Sequence, residues 1–351
     1  MKDYDIRDAD LLAKLKEHEG NFGFENMARM LEHSQKKRDE EAAKKAAKEE
    51  ELSKLPPSKR RRAVIREVIE SEGASPDNLR FMPTPLAICG LPYRALPNDV
   101  RQFERRQGRM AVYVEAGGLR APDGTRVAQP LPYGPKARLI IAHLATEALK
   151  NKSPVIETAD TLTKFMRDMG YDVTGGARGT IKPFKDQLRA LAACRMELSS
   201  WDGRKSAQLD VKPFNKMELW FGDNPDQMSL WPNTVAFSDE FYDSLTKHAL
   251  PVDVRALKAL ANSARKLDLL FWISYRMTRL ESKLVLDWKP LKEQFGEGFS
   301  RERAFRAKFA EDVDAILELF PKVPLKLTER GLELHGADPD VLAIPRRARR
   351  K

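Results

Sequence analysis

From residue 131 onward the chain carries one succession of elements twice, and this repetition constrains the fold more than any other feature. In the first run, Pro135 to Lys150 places Ala137, Ile140, Ile141, Leu144 and Ala148 on one face at helical spacing. Val155-Ile156-Glu157 follows, then a helix over about Asp160 to Met169 that Gly170 stops. A turn at Thr174 to Gly179 leads to a helix over about Thr180 to Ala193, with Ile181, Phe184, Leu188 and Leu191 inward. Alternating stretches at Arg195 to Trp201 and Gln208 to Phe214 flank Asp202-Gly203-Arg204-Lys205, an Asp-Gly hairpin signal, and a further strand is expected at Met217 to Phe221.

The second run starts near Asp253. Asn262 and Ser263 can cap a strongly apolar helix that runs to Leu280. Leu284-Val285-Leu286, a short helix at Trp288 to Phe295 and a Gly296 to Gly298 turn come next. A helix capped by Ser300 and ended by Pro321 turns Phe305, Phe309, Val313, Ile316, Leu317 and Phe320 inward. Leu325 to Thr328 and Gly331 to Leu334 close the run as a hairpin around Glu329-Arg330. Helix, helix, turn, helix, hairpin is the order of a winged helix. The fold expected is α+β, with two tandem winged-helix domains at 131–250 and 251–336.

The flanks differ. Residues 1–70 hold 17 basic and 16 acidic side chains, with few apolar positions in 34–62, and are expected as a charged helical or disordered arm. Pro83, Pro85, Pro92, Pro97 and Gly117-Gly118 mark 71–130 as a small strand-rich or irregular region, and 337–351 is expected as a basic disordered tail. No apolar run reaches the roughly 18 residues of a membrane helix, and the polar start Met1 to Asp8 has no signal-peptide core, so a soluble intracellular protein is expected.

Enzymatic readings find no motif. Gly175 to Thr180 lacks the Gly-Lys-Ser/Thr ending of a phosphate-cradling loop, the five histidines are scattered, and Cys89 and Cys194 stand alone in apolar contexts. We expect no catalytic residues, no metal and no cofactor. Of the formal +10 charge, +6 lies in residues 251–351, which suits a polyanionic partner.

A helix-turn-helix reads duplex DNA with the N-terminal front of its second helix. Ser300, Arg301, Arg303, Arg306 and Lys308 crowd that front in the second run. Positive charge there opposes the helix dipole unless an anion is met. In the first run Lys182, Lys185 and Arg189 form a stripe opposite the apolar face, with Arg178 in the preceding turn and Thr180 as cap. Arg204 and Lys205 on the first wing, and Lys326 and Arg330 on the second, would touch the phosphate backbone. The Arg346 to Lys351 tail would add nonspecific affinity.

The segments Ile88-Cys89-Gly90-Leu91-Pro92-Tyr93-Arg94, Leu131-Pro132-Tyr133-Gly134, Thr174-Gly175-Gly176 with Gly179, Leu219-Trp220, Phe271 to Arg276 and Glu293-Gln294-Phe295-Gly296 occur in this order over residues 80–335. In this the chain resembles the plasmid-encoded RepA replication initiators of proteobacteria. The resemblance implies winged helices that bind directly repeated duplex sites, the iterons, at a plasmid origin, and open an adjacent A·T-rich region. It also implies recruitment of the host initiator and replicative helicase, dimerisation through the first winged helix, and residence in the bacterial cytoplasm without a membrane. A transcriptional repressor with the same fold is the alternative, and a nickase acting on nucleic acid is a more distant one.

Overall fold

Where Met196, Leu198, Val112 and Val114 alternate with polar neighbours, one face of a sheet is buried, and such faces and stripes organise the whole second unit of the chain. The computed structural model describes residues 4–20, 22–121, 123–175, 179–217 and 234–346. It divides into two compact units, Met1–Ala63 and Val64–Lys351.

In the first unit, α1 (Ala9–Glu17) and α2 (Phe24–Lys54) join around a small cluster of Ile6, Leu11 and Leu31. Gln35, buried on α2, accepts from the backbone N–H of Arg7 and Asp8 at 3.1 and 2.9 Å. Arg38 forks onto Asp10 with two bonds of 2.8 Å, and this hydrogen bond holds the Asp10 carboxyl down at about 2. The arm is therefore helical, with fixed contacts at its start and a solvated remainder. Of the Lys59 to Arg62 cluster, Arg60 donates to the Leu52 and Ser53 carbonyls at 2.9 and 2.7 Å and so closes the end of α2. The unit boundary falls inside α3 (Pro57–Glu72).

The second unit opens with β1 (Leu79–Pro83), α4 (Thr84–Cys89), β2 (Gln102–Gln107), β3 (Met110–Glu115), β4 (Gly118–Arg120) and β5 (Arg126–Ala128). There follow α5 (Gly134–Asn151), β6 (Val155–Glu157), α6 (Ala159–Asp168), α7 (Ile181–Ala193), β7 (Arg195–Trp201), β8 (Ser206–Val211), β9 (Phe214–Met217) and β10 (Thr234–Phe237). Next come α8 (Asp239–His248), β11 (Ala249–Asp253), α9 (Val254–Leu260), α10 (Ala264–Met277), β12 (Leu284–Asp287), α11 (Trp288–Phe295), α12 (Glu302–Leu319), β13 (Leu325–Leu327) and β14 (Gly331–Leu334).

The second winged helix is α10, β12, α11, α12, β13 and β14, with its sheet in the order β12-β14-β13. Ser263 caps α10 through the Lys266 N–H. Phe305 and Phe309, fully buried on α12, lie tilted against each other, Phe309 also packs on Phe295, and both meet Trp288 edge-on. Truncating either to alanine would cost about 3–5 kcal/mol.

The first winged helix is α5, β6, α6, α7, β9 and β10, and its sheet order β6-β10-β9 repeats that of the second. Here the structure corrects the sequence reading. The hairpin around Asp202-Gly203 forms, with Gly203 at φ +96°, but it is not the wing. Its strands β7 and β8 extend β2 and β3 into a four-stranded sheet, because Met196 and Leu198 find their partners in Val114 and Val112. The wing is β9 and β10, and the residues joining them, including Leu219-Trp220 and the strand expected up to Phe221, lie outside the described residues.

Residues 71–130 are woven into the same unit. β1 pairs with β11 from Leu79↔Asp253 to Pro83↔Ala249, and α4 packs on α10. One core runs from Ile65 to Ile344.

Candidate nucleic-acid interface

A helix begins with free N–H groups, and α12 leaves them open. Ser300 does not cap it: the residue at the cap position is Arg301, and no side chain accepts from the first turn. The Ser300 carbonyl instead accepts from Lys292 Nζ at 3.0 Å. Arg301 and Arg303 are exposed and form no ion pair among the described residues. Arg306 is held, by Glu302 at 2.9 Å from its Nε and by the Trp288 ring 4.9 Å below its guanidinium. Lys308 pairs with Glu311, whose carboxyl it draws down. Such exposed pairs are worth about 0–1 kcal/mol, so a phosphate can replace either carboxylate at little cost.

The wing beside it presents Lys326, exposed on β13, and Arg330 in the turn, whose Nε donates to Asp287 at 2.7 Å. Trp288 Nε1 donates to the Glu329 carbonyl at 2.8 Å and ties this turn to α11. Buried Asp312 on α12 accepts from Arg265 on α10, so α12 is bolted to its own domain from behind.

On α7 the picture changes. Thr180 occupies the cap position without capping, since its hydroxyl donates to the Asp172 carbonyl and receives the Thr174 N–H at 3.2 Å. Lys182 pairs with Asp186 at 2.8 Å, and Arg189 lies 4.0 Å from the same carboxylate. Lys185 is half-buried, and desolvation followed by the charge of Arg189 lowers its ammonium pKa. Arg178 lies outside the described residues. Arg204 and Lys205 are exposed at the β7–β8 turn, where Asp202 Oδ1 accepts both their backbone N–H groups at 2.8 Å, and so belong to the four-stranded sheet. The tail expected as disordered from residue 337 is folded as far as Arg346, because Leu342, Ala343 and Ile344 are buried in the core; Arg346 pairs with Asp338 at 2.6 Å, and the residues after it lie outside the described set.

The sequence reading missed what joins these two surfaces. Arg138 of α5, wholly buried, forks onto Asp268 of α10 at 2.5 and 2.7 Å and donates to the Leu91, Pro92 and Gly134 carbonyls. Arg105 of β2 lies 3.7 Å from the same carboxylate, donates to the Cys89 and Leu91 carbonyls, and binds Glu297. Glu297 sits in the turn just before α12 and also accepts the Tyr93 N–H at 3.1 Å. Burial, then the Asp268 charge, pushes the Tyr93 hydroxyl pKa upward. Gly90 has φ +72°, and a Cβ there would come 2.3 Å from Asp268 Oδ2. The Ile88 to Arg94 segment is thus a cradle of carbonyls for two arginines. Its spacing was visible in the sequence, but its partners lie far along the chain.

Cys89 and Cys194 are buried free thiols, each pushed up to about 12 by burial. Among the described residues no three His, Cys, Asp or Glu side chains are grouped to hold a metal ion, and no helix is long and apolar enough to cross a membrane.

Comparison with known proteins gave no match among curated sequences. Among solved structures the chain is similar to a crystal structure of domains 2 and 3 of RctB, with a TM-score of 0.43, 11% identity, and coverage of 73% of this chain and 98% of that one. A second structure of RctB domains 2–3 gives a TM-score of 0.38 and 10% identity, covering 70% and 82%. Residues 131–288, from just before α5 through β12 to Trp288, match the family described as plasmid-encoded RepA protein.

Proposed function

We propose that the chain initiates plasmid replication by binding directly repeated sites in duplex DNA, with α12 reading base edges and α7 following the phosphate backbone. The observation that carries this reading is the front of α12, where Arg301 and Arg303 stand exposed, without ion-pair partners among the described residues, at a helix N-terminus that already repels them. An arginine donating twice to guanine O6 and N7 is worth about 1–3 kcal/mol of discrimination. Two unequal winged helices in one chain suit an asymmetric repeat bound by a monomer, whereas a simple repressor suits a palindrome bound by a dimer.

On this reading the protein acts without catalysis, opening A·T-rich DNA beside the repeats through binding energy and bringing in the host initiator and replicative helicase. Dimerisation through the first winged helix would let it repress its own gene. The test is a gel-shift titration on DNA flanking the gene, with random competitor. A ladder of discrete bands on directly repeated sites is expected. A single dimer-sized shift on a palindrome would favour repression, and nicking of supercoiled DNA with Mg²⁺ would overturn the non-catalytic reading.

A further inference from the structure

A cleft of about 820 Å³ opens on the side of the four-stranded sheet, away from both reading helices. Its floor is the inward face of the sheet where it runs past the core: Leu198 pairs with Leu209, Ser200 with Ala207, and Met110 with Ser200, so these side chains share one face. Leu250 of β11 and the Pro339 to Pro345 segment close the walls, and the C-terminal turn of α10 supplies Ser274, Tyr275 and Arg279. The volume lies within the roughly 300–1,000 Å³ of small-molecule sites.

Two further observations point to an occupant. Ser274 is 2% exposed, lines the cleft, and its hydroxyl has no hydrogen-bond partner among the described residues. A buried unpaired hydroxyl is costly, and it leaves a polar atom in the wall of an otherwise largely apolar cleft. The charges of the lining are also one-sided. Lys247 and Arg279 are exposed at the rim, with His248 beside Lys247, and no lining residue is a carboxylate. Arg279 is held over the Tyr275 ring at 4.1 Å and donates to the Tyr275 carbonyl at 2.9 Å, so its guanidinium is fixed at the edge of the cleft.

We infer that this cleft binds a small organic anion with an apolar body, such as a medium-chain carboxylate. Its charge meets Lys247 and Arg279, and its chain lies over Met110, Leu198 and Leu209. Such a ligand would touch α10 of the second winged helix and β7 and β8, which the first inserts between its reading helix and its wing.

The full chain is titrated with anilinonaphthalene sulfonate, followed by fluorescence, and then with decanoate or decylamine as competitor. Saturable one-to-one binding is expected, displaced by decanoate and not by decylamine. Lys247→Glu combined with Arg279→Glu weakens it about tenfold or more, as loss of charge-assisted contacts would. Ala207→Trp, an exposed position on the floor, abolishes it while thermal unfolding of the variant stays that of the parent. Non-saturable binding, equal displacement by decylamine, or binding indifferent to all these substitutions would overturn the proposal, and so would a groove occupied only by a peptide probe.

Discussion

The two winged helices share one order of elements and one sheet topology, yet offer opposite surfaces to a partner. In the second, α12 begins with two arginines that form no ion pair among the described residues, and its back face is an aromatic cluster of Phe295, Phe305 and Phe309 beside Trp288. In the first, Asp186 sits within reach of both Lys182 and Arg189, Lys185 is half sunk into the surface, and the core carries a histidine. Duplication of a fold therefore does not duplicate its chemistry. In the function we propose, one copy would discriminate and the other hold, while the Arg138–Asp268–Arg105–Glu297 cluster fixes them in one frame.

Removing that frame has the largest consequence. Asp268→Ala leaves Arg138 buried with an uncompensated charge and is expected to cost about 3–5 kcal/mol in denaturant unfolding. A loss below about 1 kcal/mol would mean that the cluster does not hold the two halves together.

The next contrast is proton sensitivity. His143 on α5 stacks on Phe165 at 4.4 Å, and burial, reinforced by Arg80 and Lys150, lowers its pKa from 6.5 to about 3. The unfolded chain takes up this proton below its ordinary pKa while the folded chain refuses it. The stability tied to His143 is therefore complete above about pH 6.5 and is lost as pH falls from there toward about 3. Between pH 6 and pH 4 the loss is about 2–3 kcal/mol, and His143→Leu should flatten that part of the stability curve. An unchanged slope would place the acid sensitivity elsewhere.

Smaller effects separate the two reading helices. Arg303→Ala should cost about 1–3 kcal/mol on a specific repeat and much less on random duplex. Lys182→Ala should weaken specific and random duplex alike, by about 1 kcal/mol or less, and lower the salt slope by about one. Exchanged behaviour in competition binding would invert the assignment of roles.

Much of the second winged helix was legible because its signals are local. The helix expected at Trp288 to Phe295 has those bounds, and Phe305, Phe309, Val313 and Ile316 are buried on α12 as spacing predicts, although Leu319 is buried where Leu317 was expected. The first wing was misread because Asp202-Gly203 is a strong local turn signal, while the choice of partner strand depends on Val112 and Val114, some eighty residues earlier. Ser300 and Thr180 have the right residue type to cap, but α12 starts one residue later, with Arg301 at the cap position, and the Thr180 hydroxyl is taken by the Asp172 carbonyl. The buried ion cluster was invisible because Arg138 and Asp268 are 130 residues apart, and neither sits in a pattern that demands the other.

The division of labour is tested most directly by interference footprinting on a single bound repeat. The account predicts that guanine N7 methylation blocks binding within the part of the site covered by the second winged helix, while only phosphate ethylation interferes under the first. Base methylation that interferes equally across both parts, or in neither, would contradict it.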